Sequence, residues 1–326
     1  MRAQGARSVP RDDNPQWKAL PMSTMTQSAP RSASALPKLL SGKEASVAVE
    51  AELIRDVAAL QAAGIAPGLA VVRVGEDAAS ATYVRNKVLA AERVGMRSIH
   101  EHLPEATSQA ALERVIETLN ADPAVHGILC QLPLPPQLDP NRITRLIDPT
   151  KDVDCFHPYN VGLLSLGEPR FLPCTPAGIL DLLLRGNVEV SGRRVVILGR
   201  SNIVGRPLAL LLSHKGWDAT VTLCHSRTRD LPEITRQADI LVAATGIAEW
   251  VTADMVREGA VVIDVGMNHV EDASRKTGYR LCGDVHYASV APKTAAITPV
   301  PGGVGPMTIS MLLRNTVQAA RLRLSA

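Results

Sequence analysis

Val195 to Pro207 reads VVILGRSNIVGRP: four apolar β-formers run into a glycine-containing turn that opens a helix. This is the layout of a phosphate-binding βα junction. Glycines let the backbone approach an oxyanion, and a helix N-terminus offers unpaired N–H groups and the positive end of its dipole. Gly199 and Gly205 are separated by Arg, Ser, Asn, Ile and Val, so the G-x-G-x-x-G fingerprint is only half met. The next strand, Ala219 to Leu223, runs into Cys224, His225 and Ser226, where a dinucleotide with a free ribose hydroxyl usually meets Asp or Glu. No carboxylate stands there. Arg200, Ser201, His225, Ser226 and Arg227 would instead attract a phosphorylated ribose, which favours NADP over NAD. The plainer alternative makes Arg200 a solvated loop charge.

The same alternation of strands and helices extends in both directions. Upstream, the spacing predicts a helix over Glu44 to Ala63 closed by Gly64, a strand Gly68 to Val74, a helix Thr82 to Val94 and a strand Ser98 to His102. A helix Gln109 to Asn120 and a buried strand His126 to Leu132 follow. Downstream come a helix Thr175 to Arg185, the strand Arg194 to Leu198 and a helix Pro207 to Lys215. Strands Ile240 to Ala244 and Ala260 to Asp264 and a closing helix Met307 to Leu324 complete the series. The expected fold is α/β: two α/β domains with a cleft between them, the second a Rossmann-type dinucleotide-binding domain. We expect residues 36–173 plus 305–326 in the first, 174–304 in the second, and a disordered leader over 1–35. A targeting segment, or an upstream start with Met22 or Met25 as the true one, are the alternatives for that leader.

Composition narrows the partners. A net charge of +3 with dispersed Lys and Arg gives no footprint for nucleic acid. The 5 cysteines sit singly, as reduced thiols of a cytoplasmic protein would. No apolar run reaches the ~18 residues a membrane span needs. His100, His102, His214, His269 and His286 lack ligand-like spacing, so no metal site is expected.

Chemistry is sought where polar residues interrupt the apolar logic. Ser80, Tyr83 and Lys87 lie three and four residues apart, so one helix face carries a hydroxyl, a phenol and an amine. Gln131 interrupts an apolar strand end, where its amide needs a partner or a ligand. Asp154 ends a Lys-Asp-Val-Asp run that fits neither helix nor strand, leaving its carboxylate available to a cleft. The plain reading makes Tyr83 a packing residue and Lys87 a solvated charge.

GEDAASATYVRNK (75–87), GILCQLPLP (127–135), KDVDCFHPYN (151–160), PCTPAGI (173–179), GRSNIVGRP (199–207), TLCHSRT (222–228) and PVPGGVGPMT (299–308) are collinear blocks. Together they closely resemble the bifunctional methylenetetrahydrofolate dehydrogenase/methenyltetrahydrofolate cyclohydrolase family. The resemblance runs from about Leu36 to the C-terminus. It implies oxidation of 5,10-methylenetetrahydrofolate with NADP⁺ and hydrolysis of the methenyl product to 10-formyltetrahydrofolate, in a homodimer serving one-carbon metabolism. It further implies Lys87 as general acid/base, Tyr83 stacking on the folate, Gln131 holding the lysine, Asp154 binding the pterin, and Ser80 supporting them. Pro301, Gly302 and Gly303 would wall the folate, and Gly199, Arg200, Ser201, Ile203, His225, Ser226, Thr245, Gly246 and Ile247 would contact the cofactor. Physical chemistry agrees: a cationic substrate beside Lys87 penalises a second positive charge and favours the neutral amine, a usable base. Cys155 departs from the family pattern, which has Gly after the Asp, and this predicts a less free backbone and a narrower pterin pocket. Leu89 is a peripheral departure. The rival readings are an NADP-dependent dehydrogenase of another small metabolite and a non-catalytic nucleotide-binding protein.

Overall fold

The computed structural model describes residues 36–275 and 278–324; the expected leader, 1–35, lies outside the described residues. A two-residue strand, β1 (Lys38–Leu39), precedes helix α1 (Gly42–Ala62). The Ser41 hydroxyl accepts from Glu44 N at 3.2 Å, and this cap starts the helix ahead of the Glu44 that apolar spacing alone indicates. Then come β2 (Gly68–Val74), α2 (Ala78–Arg93), β3 (Arg97–Leu103), α3 (Gln109–Ala121), β4 (Gly127–Cys130), α4 (Pro140–Leu146) and α5 (Pro158–Leu166). The strands form a parallel sheet in the order β3-β2-β4. Every position of β2 is buried, so it feeds two cores. Leu69 and Val71 join the core that includes Val49, Leu53 and Val57 of α1, while Ala70, Val72 and Val74 meet Leu112 and Ile116 of α3 and Ile143 of α4.

Two boundaries differ from the sequence expectation for identifiable reasons. Helix α2 begins at Ala78 rather than Thr82 because the Asp77 carboxylate accepts from Ser80 N at 2.7 Å and caps it. Strand β4 ends at Cys130 rather than Leu132: Gln131 N still donates to Val72 O at 2.8 Å, but Pro133 has no N–H to extend the ladder.

The second half comprises α6 (Cys174–Arg185), β5 (Arg194–Leu198), α7 (Gly205–Ser213), β6 (Thr220–Cys224), α8 (Leu231–Thr235), β7 (Ile240–Ala243) and β8 (Val261–Asp264). It continues with β9 (Asn268–Glu271), β10 (Tyr279–Cys282), α9 (Tyr287–Val290), β11 (Ala296–Ile297) and α10 (Val304–Leu324). Six parallel strands align as β1-β11-β8-β7-β5-β6, and β9 with β10 forms a separate antiparallel pair. Strand β5 has β6 on one side and β7 on the other, so strand order reverses there. A crevice opens at such a point, past the carboxyl end of β5. The chain thus enters the larger sheet at β1, before building the smaller one.

Helix α10 packs against α1 and α6 and reaches β2 and β4. It buries Met307, Met311, Leu313 and Val317, and each such side chain contributes about 1.5–3 kcal/mol of transfer free energy. A ring of ion pairs ties the same three helices. Arg314 reaches Glu52 at 2.7 Å and Asp181 at 3.2 Å, while Arg185 reaches Glu52 at 2.7 Å and Asp181 at 2.5 Å. This three-helix joint stands between the two sheets, whose facing edges form the cleft.

Candidate active site

A cleft of ≈ 380 Å³ lies between the carboxyl edges of the sheets. Helix α2 supplies Tyr83 and Lys87 to it, the residue after β4 supplies Gln131, and the turn before α7 supplies Ile203. Lys87 Nζ donates to Gln131 Oε1 at 2.9 Å, and Gln131 Nε2 donates to Leu132 O at 2.7 Å, which fixes the orientation of the amide. The phenol of Tyr83 contacts the sulfur of Met267 across the cleft, and burial pushes that phenol above its ordinary range. The far wall is the loop Pro299 to Gly303, with Val300-Pro301 in the cis form. This wall is seated on the start of α1: Lys43 N donates to Gly302 O at 3.0 Å, and a Cβ on Gly42 would lie 1.7 Å from Gly303 O.

Ser80 and Asp154 do not line this cleft. Ser80 is buried, and its amide and hydroxyl both bond Asp77, so it holds the first turn of α2 one turn below Tyr83. Asp154 borders a neighbouring cavity of ≈ 20 Å³ with Cys130, Leu132 and Phe156. Burial pushes its carboxyl above the ordinary aspartate range; the positive charge of Lys87 draws it back, and Asp152 pushes it further up. The Cys174 thiol donates to Asp154 Oδ1 at 3.5 Å.

The loop carrying Asp154 is fixed from both sides. Lys151, 1% exposed, donates to the carbonyls of Leu119, Asn120 and Asp122 at 2.9, 2.7 and 2.7 Å and so closes the C-terminus of α3. Asp152 accepts from Phe156 N, His157 N and Asn160 Nδ2. His157 is a cap for α5, its Nδ1 accepting from Tyr159 N at 3.0 Å. Cys155 adopts φ 62°, the left-handed region that favours glycine, with its thiol buried and donating to Phe171 O at 3.3 Å. The expected backbone constraint at Cys155 is therefore real.

On the other side of the cleft, the turn after β5 is built for close approach. Gly199 has φ 114°, and a Cβ there would lie 2.1 Å from Ala244 O; a Cβ on Gly205 would lie 1.9 Å from Gly199 O. Ser201 Oγ accepts from Val204 N at 3.1 Å and so closes the turn that leads into α7. Arg200, Ser201 and Ile203 are exposed at this mouth, beside the end of β6 with His225 and Ser226. His225 Nδ1 accepts from Arg227 N at 3.2 Å. A bare backbone, a helix N-terminus and these basic and hydroxyl groups fit a phosphorylated dinucleotide. At Thr245 and Gly246 both amides donate to Asp284 Oδ2, at 2.5 and 2.9 Å, so a cofactor there would meet their other groups.

Sequence reasoning missed Asp264, Met267 and Thr175, which also line the cleft, and Asp284 behind it. Asp264 ends a buried strand two residues before Gly266, and Asp284 follows Gly283; an acidic residue close to a glycine just past a strand is the signal that could have found them. Among the described residues no three His, Cys, Asp or Glu side chains are grouped to hold a metal ion, and no helix is long and apolar enough to cross a membrane.

Comparison with known proteins accounts for this geometry. The family model described as "Tetrahydrofolate dehydrogenase/cyclohydrolase, catalytic domain" matches residues 40–154, and that of its "NAD(P)-binding domain" matches 173–324. "Bifunctional protein FolD 1" of Myxococcus xanthus is 56% identical over 287 residues, covering 88% of this chain and 98% of that protein. The FolD enzyme solved from Campylobacter jejuni superposes with a TM-score of 0.83 at 47% identity, over 88% of this chain and 99% of that one. The Trypanosoma brucei enzyme, solved with NADP cofactor and an inhibitor, gives 0.85 at 43% identity, over 90% and 100%. Both halves of the chain match in order and at high identity, so it belongs to the tetrahydrofolate dehydrogenase/cyclohydrolase family.

Proposed function

We propose that the chain oxidises 5,10-methylenetetrahydrofolate with NADP⁺ and hydrolyses the resulting methenyl cation to 10-formyltetrahydrofolate in one cleft. The observation that carries this reading is the Lys87–Gln131 bond of 2.9 Å inside a cleft that also holds Tyr83 and adjoins the glycine turn after β5. Bound NADP⁺ supplies the hydride acceptor. Tyr83 offers its ring to the flat pterin. Asp154 offers a carboxylate to the donor edge of that ring, and its charge offsets the methenyl cation. In the hydrolysis, water adds to the methenyl carbon, Lys87 Nζ takes the proton, and Nζ returns a proton to the ring nitrogen as its bond to that carbon breaks. Gln131 keeps Nζ aimed at the reacting carbon, and Ser80 holds the helix turn beneath. Pro301, Gly302 and Gly303 form the wall over the folate.

Gly199, Arg200, Ser201, Ile203, His225 and Ser226 would hold the dinucleotide, with Thr245, Gly246 and Ile247 shaping its border. The choice of NADP over NAD rests on Arg200, His225 and Ser226, with no carboxylate at the end of β6. The division into a folate-binding unit of residues 36–173 plus 305–326 and a cofactor unit of 174–304 is supported by the packing of α10 on α1, β2 and β4, while β1 pairs with β11 in the larger sheet and α10 packs equally on α6, so both ends of the first unit also touch the second. Family likeness supports a cytoplasmic homodimer feeding purine, histidine and methionine synthesis. A dehydrogenase of another metabolite would not need Tyr83, Lys87, Gln131 and Asp154 together. Purified protein given methylenetetrahydrofolate and NADP⁺ should form NADPH with little methenyl accumulation, followed as two absorbances. NADPH without methenyl decay would leave a dehydrogenase alone, and absence of NADPH with either dinucleotide would refute the reading.

A further inference from the structure

Asp264 and Asp284 are 4% and 0% exposed, and no Lys, Arg or His among the described residues forms an ion pair with either. Their charges are met by N–H and O–H groups. Asp264, at the end of β8, accepts from Gly266 N and Asp284 N at 2.9 Å each and from Val285 N at 3.0 Å. Its own amide donates to Thr298 Oγ1 at 2.7 Å, next to the Pro299 wall. Asp284 accepts at Oδ2 from Thr245 N, Thr245 Oγ1 and Gly246 N, and at Oδ1 from Asn268 Nδ2 at 3.0 Å. Thr245 Oγ1 then accepts from Ile247 N at 3.2 Å. The two carboxylates therefore link the loop after β7, the turn after β8, the segment after β10 and the edge of the folate wall.

Such a linkage has a chemical consequence. Burial pushes the Asp264 carboxyl up to about 6 even with three N–H bonds drawing it back, and burial makes every bond in such a cluster costly to lose. The loop Thr245 to Ile247 has no regular structure to hold it, so its backbone position is set by Asp284. That loop borders Gly199 through Ala244, whose carbonyl is 2.1 Å from where a Gly199 Cβ would stand. A shift of the loop would be felt at the turn that receives the dinucleotide, while Lys87 on α2 and Gln131 after β4 bond each other and none of these groups.

We infer that Asp284, itself held by Asp264, is a positioning residue for the dinucleotide: it acts through Thr245 and Gly246 and serves the dehydrogenase step but not the hydrolysis. This rests on the function proposed above. The test is Asp284→Asn, whose amide keeps the size but removes the charge and places its NH2 against either the Thr245 and Gly246 donors or the Asn268 donor. Three quantities are read: NADP⁺ affinity by titration, cofactor-independent hydrolysis of methenyltetrahydrofolate, and hydrogen exchange at the Thr245 and Gly246 amides without cofactor.

NADP⁺ affinity should weaken about tenfold or more, as loss of buried charged hydrogen bonds predicts. Hydrolysis should stay within about twofold of wild type, and both amides should exchange faster. NADP⁺ affinity within about twofold of wild type, or hydrolysis falling in parallel with affinity, would overturn the inference. If Asp284→Asn does not fold, Thr245→Val removes one donor to the carboxylate. It should weaken NADP⁺ several-fold with the thermal midpoint kept, and unchanged affinity in that variant would equally overturn the inference. Wild-type protein that binds no NADP⁺ would refute the proposed function instead, and the amide exchange still reads the linkage on its own.

Discussion

Lys87 Nζ and Gln131 Oε1 lie 2.9 Å apart, although the residues come from different elements and are 44 positions apart in the chain. An amine on a four-carbon stem has many rotamers, and one fixed acceptor selects among them. Gln131→Ala removes that acceptor while leaving the amine. We expect methenyl hydrolysis to fall by about a hundredfold with NADP⁺ affinity unchanged, measured by steady-state hydrolysis and cofactor titration.

Asp154 should be a functional residue that destabilises its own fold. Burial raises its carboxyl despite Lys87, so the folded state holds the proton more tightly than the unfolded chain does. Its contribution is therefore most favourable below the ordinary value of 3.8 and is lost as pH rises through the folded value. Asp154→Asn should raise the thermal midpoint at neutral pH and abolish folate binding. Melting curves between pH 7 and pH 4 should show the advantage of the variant shrinking with acidification.

Cys155 sets two effects against each other. At φ 62° an L side chain is strained, by about 1–2 kcal/mol, whereas its buried thiol fills space and bonds Phe171 O. Cys155→Gly relieves the strain and loses the packing; Cys155→Ala loses packing and keeps the strain. The order of stability in denaturant should be Gly variant above Ala variant, and Cys155→Val, β-branched in this conformation, should be lowest. Burial also raises the Cys155 and Cys174 thiols well above the ordinary range and Cys130 to about 12. A thiol reagent at pH 8 should label these three only after unfolding.

The ring of Glu52, Asp181, Arg185 and Arg314 should register as acid sensitivity. Burial alone would raise the Glu52 carboxyl, but the bonds and charges of Arg185 and Arg314 outweigh it and lower it. Stability from this group is fully present above the ordinary value of 4.5 and is lost as pH falls through the folded value. Glu52→Gln should therefore melt below wild type at pH 7, with the gap closing in acid.

What the sequence made legible was local. Val195 to Pro207 carries its strand, turn and helix in one stretch, and the apolar spacing located β2 and β5 to the residue. Strands β1 and β11 were invisible because two residues carry no periodicity. Helical spacing put Ser80 on the face of Tyr83 and Lys87, but it could not reveal that Asp77 would claim its amide and hydroxyl. Asp284 was missed for a different reason: its partners Thr245 and Asn268 are 39 and 16 residues away, and only the fold brings them together. Family resemblance supplied the roles of Lys87, Gln131 and Asp154, which composition and periodicity could only nominate.

In the proposed function one cleft performs both reactions and Lys87 moves the proton in the hydrolysis. The most direct measurement is methenyltetrahydrofolate hydrolysis by Lys87→Met, with NADP⁺ affinity measured on the same preparation. We predict hydrolysis at the uncatalysed rate with NADP⁺ affinity within about twofold of wild type, since Nζ is bonded to Gln131 and not to the turn after β5. Hydrolysis clearly above the uncatalysed rate in that variant would contradict the account.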